Sequence, residues 1–532
     1  MTFKKLTGED REFVAQTYLT KISHNEKIEI LTSRFGVTGR TIRNWWKKLG
    51  VSTGLSTEKP QQILSAMSNE ISEDSKVLLV TTAQNKTLVN KGMLSNMEAY
   101  RDFLLKERGT VAEIVVIPST YHNPTRITDN SKESNWWSGE VSEYMHYNKI
   151  NFGDCLIHAT FRVRPTARLP LSGLDLLAGG KHLLIGHPRI HFKTLPRFKG
   201  DPLYTMSTTG YCTYKNYSDS KAGDIGENHH SYGFSIIEMD EDGKCLIPRN
   251  VKCNQDGEFT DILYNVKSGK VSVIDSSEGF VWGDIHHQEL DTECYYHTVQ
   301  LLNSLKPKVN ILHDVLDGGS KGLNPHEAKD MYILKKKIRE GKDDVIKEVN
   351  EAVQFVNKVQ QDTDSDVKVV YSNHDFFLDR YVNDHNWKRD LYNSEGYLQY
   401  AYIQQTEDME KHGCIFGYLV NTYDNSRVEY LAPHCKYKLG DYVVSLHGDF
   451  GQNGAKGSAN TWKKINEKTI TAHSHSPQSV DGATIVGVSA KLNQYYVRRG
   501  LSSWAHSHSV VHSSGKNQLL VMNNDYKVSN LV

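Results

Sequence analysis

Between residues 276 and 480, apolar β-type runs end again and again on Asp, Asn or His. "GFVWGDIHH" closes on Asp284 and His286, "KVNILHDVLDGGS" on Asp314 and Asp317, and "VKVVYSNHD" on Asn373, His374 and Asp375. "DYVVSLHGDF" reaches His447, and "TITAHSHSP" reaches His473 and His475. One such ending decides nothing, because Asn and Asp are ordinary turn residues. Five in order constrain the fold. Helical spacing fills the intervals, in "LDTECYYHTVQLLNSL", in two stretches over roughly 325–360, and again over 376–411. Strand, polar loop, helix and strand in repetition predict α/β layers with functional groups gathered at strand C-terminal ends. Further strands are expected in "FGYLVN", "VEYLAP", "TIVGVS" and "QLLVMNN". Alternate side chains share a sheet face, so D-x-H and H-x-H put both members of a pair on one side. A mixed nitrogen and oxygen donor set without thiolates suits Mn, Fe or catalytic Zn better than a structural zinc site.

The first 50 residues form a different unit. "GEDREFVAQTYLTK" and "NEKIEILTSRFG" have helical spacing, and "TGRTIRNWWKKLGV" follows a short turn at Gly36-Val37. Thr38 is placed to cap the third helix, with Ile42, Trp45 or Trp46, and Leu49 as its buried stripe. Arg40, Arg43, Asn44, Lys47 and Lys48 lie on that helix with no acidic residue among them. Such a helix suits the major groove of DNA, where these side chains meet phosphates and base edges. The alternative is a trihelical bundle for protein contact with a solvated basic face. Residues 51–75 are polar and read as a linker. "KVLLVTTAQ", a helix near 90–107 and "AEIVVIPSTYHN" then open a β-α-β unit, and 76–275 reads as a mixed α/β region. Within it, His229 and His230 fit a surface loop better than a ligand pair.

Composition narrows the setting. Lys plus Arg and Asp plus Glu both number 63 in 532 residues, so no global field draws the chain to nucleic acid or anionic lipid. Any DNA contact must be local. Seven Cys without a C-x-x-C pair argue against a disulfide framework and for a reducing compartment. No h-region or long apolar run is visible, so a cytoplasmic protein without a membrane is expected.

The ordered endings resemble the calcineurin-like metallophosphoesterase superfamily, whose series runs D-x-H, G-D-x-x-D, G-N-H-[DE], a lone His, then G-H-x-H. The match covers about 276–490. The resemblance implies a layered β-sandwich flanked by helices over 276–532. It assigns Asp284, His286 and His475 to one metal, Asn373, His447 and His473 to a second, and Asp314 to both. Two divalent cations are implied, Mn preferred with Fe or Zn as alternatives. His374 would then meet the phosphate and Asp375 would orient it, the two acting as the catalytic pair. His313, Ser372 and Ala472 replace glycines of the family pattern. "AHSHS" occurs at both 472 and 505, and the first copy is taken as ligand because it follows a strand and lies 26 residues after His447. His506 and His508 are taken as surface or strand residues.

"NHD" is similar to the repair nucleases of SbcD type, whereas the Arg-rich signatures of protein phosphatases are missing. The layout of helix-turn-helix, α/β region with "PTARLPLSGL" and carboxy-terminal phosphoesterase resembles phage-encoded metallophosphoesterases, including pre-early proteins of large tailed phages implicated in destroying host DNA. A metal-dependent DNase acting on DNA in the host cytoplasm is therefore the expectation, with homo-oligomerisation left open. The alternatives are a small-molecule phosphodiesterase or phosphatase, and a DNA-binding regulator with an inactive phosphoesterase half.

Overall fold

A computed structural model describes residues 6–19, 24–49, 69–121, 136–320, 323, 330–384, 387–494 and 500–531. The chain divides into two compact units, Met1–Ile190 with Met206–Phe259 and Val266–Val271, and His191–Thr205 with Thr260–Asn265 and Ser272–Val532.

In the first unit, α1 (Gly8–Leu19), α2 (His24–Phe35) and α3 (Gly39–Lys48) surround a small core. The turn between α2 and α3 needs a left-handed residue, and Gly36 supplies it at φ +58°. Thr38 caps α3, its Oγ1 accepting from Thr41 N at 3.3 Å. Ile42, Trp45, Trp46 and Leu49 face inward onto Val14, Ala15 and Leu31. Trp46 Nε1 also donates to the Val14 carbonyl at 3.3 Å, so its burial leaves no donor stranded. Arg40, Arg43, Asn44 and Lys48 are exposed on α3, and the side chain of Lys47 lies outside the described residues. Most of the segment read as a linker, residues 51–68, also lies outside them.

Beyond it, β1 (Val77–Gln84) and β2 (Ala112–Ser119) pair in parallel on either side of α4 (Lys91–Arg108). The helix starts where the Asn90 side chain accepts from Met93 N and stops at Gly109, φ +62°. Strands Gly233–Glu238 and Arg249–Lys252 extend this sheet antiparallel from β1. Strands Lys149–Phe152, Cys155–His158 and His182–Ile185 form a second mixed arrangement. Leu78, Val80 and Val115 share one core with Phe152, Ile157 and Leu184. His230 is buried rather than in a surface loop. Its Nδ1 meets Tyr217 Oη at 2.9 Å and its Nε2 meets the Thr213 carbonyl at 3.1 Å. Rings of Tyr211, Tyr217 and Tyr232 pack edge-on around it, an aromatic enclosure the Gly- and Asn-rich text concealed.

The second unit is built on two mixed sheets. In the first, β3 (Gly279–Val281), β4 (Val309–His313), β5 (Asp366–Val370) and β6 (Val428–Leu431) are parallel, and β10 (Ser507–Val511) and β11 (Asn517–Val521) continue antiparallel beyond β3. The second runs in the order Lys438–Leu439, β7 (Tyr442–Val443), β8 (Lys468–Thr471), β9 (Ala483–Ile485), Gln478–Val480 and Phe192–Thr194. Val309, Ile311 and Val370 meet Leu439, Tyr442 and Ile470 in one apolar layer. Leu312, Val367 and Val369 join the other core with Leu302 of α5 (Thr292–Leu305) and Val349, Val353 and Val356 of α6 (Val345–Thr363). Strands apolar on both faces are what a parallel sheet covered on both sides requires. Caps fix where the helices begin: Asp291 accepts from Glu293 N and Cys294 N, and Asp344 from Lys347 N.

One expected strand is a helix. "FGYLVN" falls within α7 (Ile415–Thr422), started by Cys414 Sγ accepting from Gly417 N. A Cβ at Gly417 would lie 2.6 Å from the Tyr430 ring, so glycine lets this helix rest on β6. Short apolar runs do not separate a buried helix from a buried strand. Each cysteine is free, and six of the seven are buried. Among the described residues, no helix is long and apolar enough to cross a membrane.

Candidate metal centre

The strands of the second unit deliver their polar ends to one place. Asp284 and His286 follow β3, Asp314 follows β4 directly, Asn373 follows β5, His447 follows β7, and His473 and His475 follow β8. Ligand atoms of Asp284, His286, Asp314 and His475 lie within 4.8 Å of one another, and so do those of Asp314, His447 and His473. Asp314 belongs to both groups. In the first, His475 Nε2 is 3.1 Å from Asp284 Oδ2 and 3.0 Å from His286 Nε2. In the second, His447 Nε2 is 3.2 Å from Asp314 Oδ2, and the His447 and His473 rings are edge-on with centroids 5.1 Å apart.

The pairs do not converge by strand alternation, as the sequence pattern suggested. His286, Asp314, His473 and His475 have φ of +44°, +45°, +69° and +56°. Left-handed backbone is uncommon for a residue with a Cβ and persists where the surroundings over-determine it. Four such residues in one cluster mark the strand ends as tight turns that swing side chains together. Backbone bonds lock these turns, with His286 N donating to the Asp314 carbonyl at 2.7 Å and Ala472 N to the His447 carbonyl at 2.6 Å.

Buried polar atoms here lack hydrogen-bond partners: Asp314 Oδ1, Asp284 Oδ1 and His447 Nδ1, as does Asn373 Oδ1 beyond the end of β5. Each such atom costs about 1–3 kcal/mol when nothing meets it. A cation among them would satisfy the set, and the donors are the nitrogens and oxygens that Mn, Fe or Zn accept. The electrostatics agree. Burial alone would neutralise His447, but Asp314 and then Asp284 outweigh it and hold the imidazole up at about 10. Burial likewise opposes charge on His286, which Asp317 and Asp314 raise to about 9. Asp314 is kept well below the usual carboxylate range against its burial, chiefly by His447. This concentrated negative field holds protons where a dication would otherwise sit.

His374 and Asp375 part company. His374 Nδ1 lies 2.6 Å from the Asp317 carbonyl, so that nitrogen carries the proton and Nε2 remains for another partner. Its ring is 4.6 Å from that of His286, and burial pulls its pKa down to about 4. Asp375 does not orient it. The Asp375 carboxyl accepts instead from Tyr430 Oη at 2.9 Å, and burial, then Asp314, raise it to about 7. Entry into the helix Phe376–Asn383 turns the two adjacent side chains apart.

Two neighbours hold the cluster in place, Asp317 in the supporting part that the motif resemblance implies and Glu348 unforeseen. Asp317 Oδ1 stands 3.3 Å from His286 Nδ1, fixing the ring from behind. Glu348, fully buried in α6, accepts from Gly319 N at 2.8 Å and Ser320 N at 2.9 Å, and so shapes the loop that bears Asp317. No sequence signal separated this acid from the polar face of its helix. Of the surface or strand places expected for His506 and His508, His508 takes the strand, and both are buried rather than at the surface. His508 sits within β10 between Gly283 N and Thr298 Oγ1, both at 3.1 Å, and His506 Nε2 is 3.6 Å from Asp291. Arg40, Arg43, Asn44 and Lys48 belong to the first unit on α3, apart from this cluster in the chain.

Fold and site together define a mixed α/β protein with a buried His/Asp cluster able to hold a metal ion. Over 477 residues the chain is 28% identical to Protein A1 of Escherichia phage T5, covering 84% of this chain and 82% of that protein. No protein-family model matches the chain, and no solved structure matches it.

Proposed function

We propose that this protein is a divalent-metal-dependent DNase, a calcineurin-like metallophosphoesterase that hydrolyses DNA phosphodiester bonds at a two-cation centre. The observation that carries this is the position of Asp314, shared between two groups of ligand atoms. Asp284, His286 and His475 would hold one cation, Asn373, His447 and His473 the other, and Asp314 both. Mn is preferred, with Fe or Zn as alternatives. When bound, the cations supply Lewis acidity and charge neutralisation to the displacement at phosphorus.

His374 is the catalytic side chain of this proposal. Its Nδ1 proton is committed to the Asp317 carbonyl. Nε2 is then the atom that accepts a proton from the nucleophile or, once protonated, passes one to the leaving oxygen. Asp317 and Glu348 are positioning residues, since they act through His286 and the loop carbonyl. The exposed cations of α3 would give the DNA address, with residues 1–50 as the helix-turn-helix domain, 51–75 as linker, 76–275 as accessory region and 276–532 as the phosphoesterase domain. Similarity to a phage protein supports a phage origin, and on this reading the enzyme would act in the host cytoplasm to degrade host DNA.

The test is Mn-dependent cleavage of supercoiled and linear duplex DNA by the wild type and His374→Ala. We expect cleavage by the wild type and its loss in the variant with metal content unchanged. A folded, metal-loaded wild type that leaves every DNA form intact would overturn the proposal.

A further inference from the structure

Beside the metal centre, the second unit carries a cationic wall with one exposed aromatic. Trp504 packs its ring edge-on to His475, centroids 4.1 Å apart, and its carbonyl accepts from Arg197 Nη1 at 3.0 Å. The backbones of Arg197 and Ser502 exchange two hydrogen bonds, at 2.9 and 3.0 Å, and Thr194 Oγ1 donates to the Ser503 carbonyl at 2.7 Å. The segment 502–505 is in turn tied to the centre, Ala505 N donating to the His475 carbonyl at 3.2 Å. The turn that follows Arg197 is thus anchored one side chain away from a proposed ligand.

That turn reads Arg197-Phe198-Lys199, closed by Asp201 N donating to the Phe198 carbonyl at 3.2 Å. Phe198 is 69% exposed although it is apolar and lies on a fixed turn. Two cavities, of about 350 and 320 Å³, share Arg197, Leu492, Asn493 and Asn524 as a common wall. Lys491 lines the first, and Phe198, Lys199 and Gln494 line the second. Asp201 and Asp291 are the carboxylates on these walls, and Asp291 is already engaged by His506 and Tyr526 Oη. The result is cations and amides around an open aromatic face.

From this we infer that the Arg197–Asp201 turn and its two cavities bind a single strand of nucleic acid leading into the metal centre, with a base stacked on Phe198 and flanking phosphates on Arg197 and Lys199. The inference rests on the phosphodiesterase proposed for the adjacent cluster and adds the form of the substrate it receives. Grooves that hold single strands combine a cationic track with aromatic side chains, because every base offers a π-face whatever its sequence. A duplex would bury its bases away from Phe198, so the turn favours an unpaired segment or a frayed end.

The test uses the full chain and a fluorescein-labelled oligothymidylate, bound without divalent metal so that no cleavage intervenes. Phe198→Ala and Lys199→Gln alter exposed side chains and leave the core untouched. Phe198→Ala is expected to weaken binding about tenfold. Lys199→Gln is expected to reduce the slope of log affinity against log salt by about 0.7, the loss of one phosphate contact. Hydrolysis of bis(p-nitrophenyl) phosphate with Mn should stay at the wild-type rate in both. Wild-type binding that neither variant changes, or no binding by the wild type, would overturn the inference even if DNA is cleaved. Binding that depends on Phe198 in a protein that hydrolyses neither DNA nor the aryl diester would remove the DNase proposal and leave the strand site standing.

Discussion

The pentapeptide Ala-His-Ser-His-Ser occurs twice in the second unit, at 472–476 and 505–509, with opposite fates. In the first copy both histidines adopt left-handed backbone at the end of β8 and join the two ligand groups. In the second, the chain runs on as strand β10, and its histidines are spent on neighbours: His508 on Gly283 N and Thr298, His506 on Asp291. Identical side chains therefore differ in what surrounds their backbone. A histidine becomes a candidate ligand where the strand stops and carboxylates converge, and a structural bridge where the strand continues.

Removing one copy at a time separates the two roles. Replacing His473 and His475 by Ala should abolish binding of at least one cation and lower DNA cleavage by more than about 100-fold. Replacing His506 and His508 should leave metal content at the wild-type level, as measured by elemental analysis, and instead cost about 2–4 kcal/mol of stability in denaturant unfolding. Loss of metal from the second double variant would mean that the copies are not distinct.

His374→Ala should come next, with cleavage down by about 10²–10⁴-fold in single-turnover assays and both cations retained. If metal is lost instead, His374 is a ligand, and its contact with the Asp317 carbonyl serves that end.

Proton linkage sharpens the electrostatic side. Without metal, His447 and His286 are held protonated to about 10 and about 9, above the ordinary imidazole value. Their contribution to the metal-free fold is complete below about pH 6.5 and disappears as pH rises through those raised values. A cation must displace both protons. Metal affinity should therefore rise with pH from about 6 to about 9, and calorimetry in buffers of different ionisation enthalpy should record proton release at pH 7. Affinity that is flat across this range would contradict the assignment of these two imidazoles.

Asp375→Asn is the smallest effect. Asp375 is raised to about 7 and accepts from Tyr430 Oη, a bond that an amide oxygen also accepts. Cleavage at neutral pH should stay within about threefold of wild type, far short of the ~10²-fold expected for loss of a catalytic partner.

Much of this was legible in the sequence, and the exceptions have physical causes. The parallel strands show as continuous apolar runs, and the α3 stripe from Ile42 to Leu49 shows as helical spacing. The polar residues of the cluster stand where those runs stop. Their mode of convergence was not legible, because nothing in "GDIH" or "AHSH" announces left-handed backbone at a histidine. Adjacent Asn373, His374 and Asp375 suggested a working triplet, yet the start of a helix sends Asp375 to Tyr430. Glu348 stayed hidden because a buried acid on α6 has the same text as an exposed one. His230 stayed hidden because Tyr211, Tyr217 and Tyr232, which enclose it, stand nearby in irregular text whose spacing follows neither a helix nor a strand period.

Anomalous diffraction at the Mn absorption edge, from crystals of the protein loaded with Mn, locates the cations themselves. Two peaks are expected, one among Asp284, His286 and His475 and one among Asn373, His447 and His473, with Asp314 reaching both. A single peak beside His506 and Asp291, or none at the strand ends, would contradict the two-cation centre.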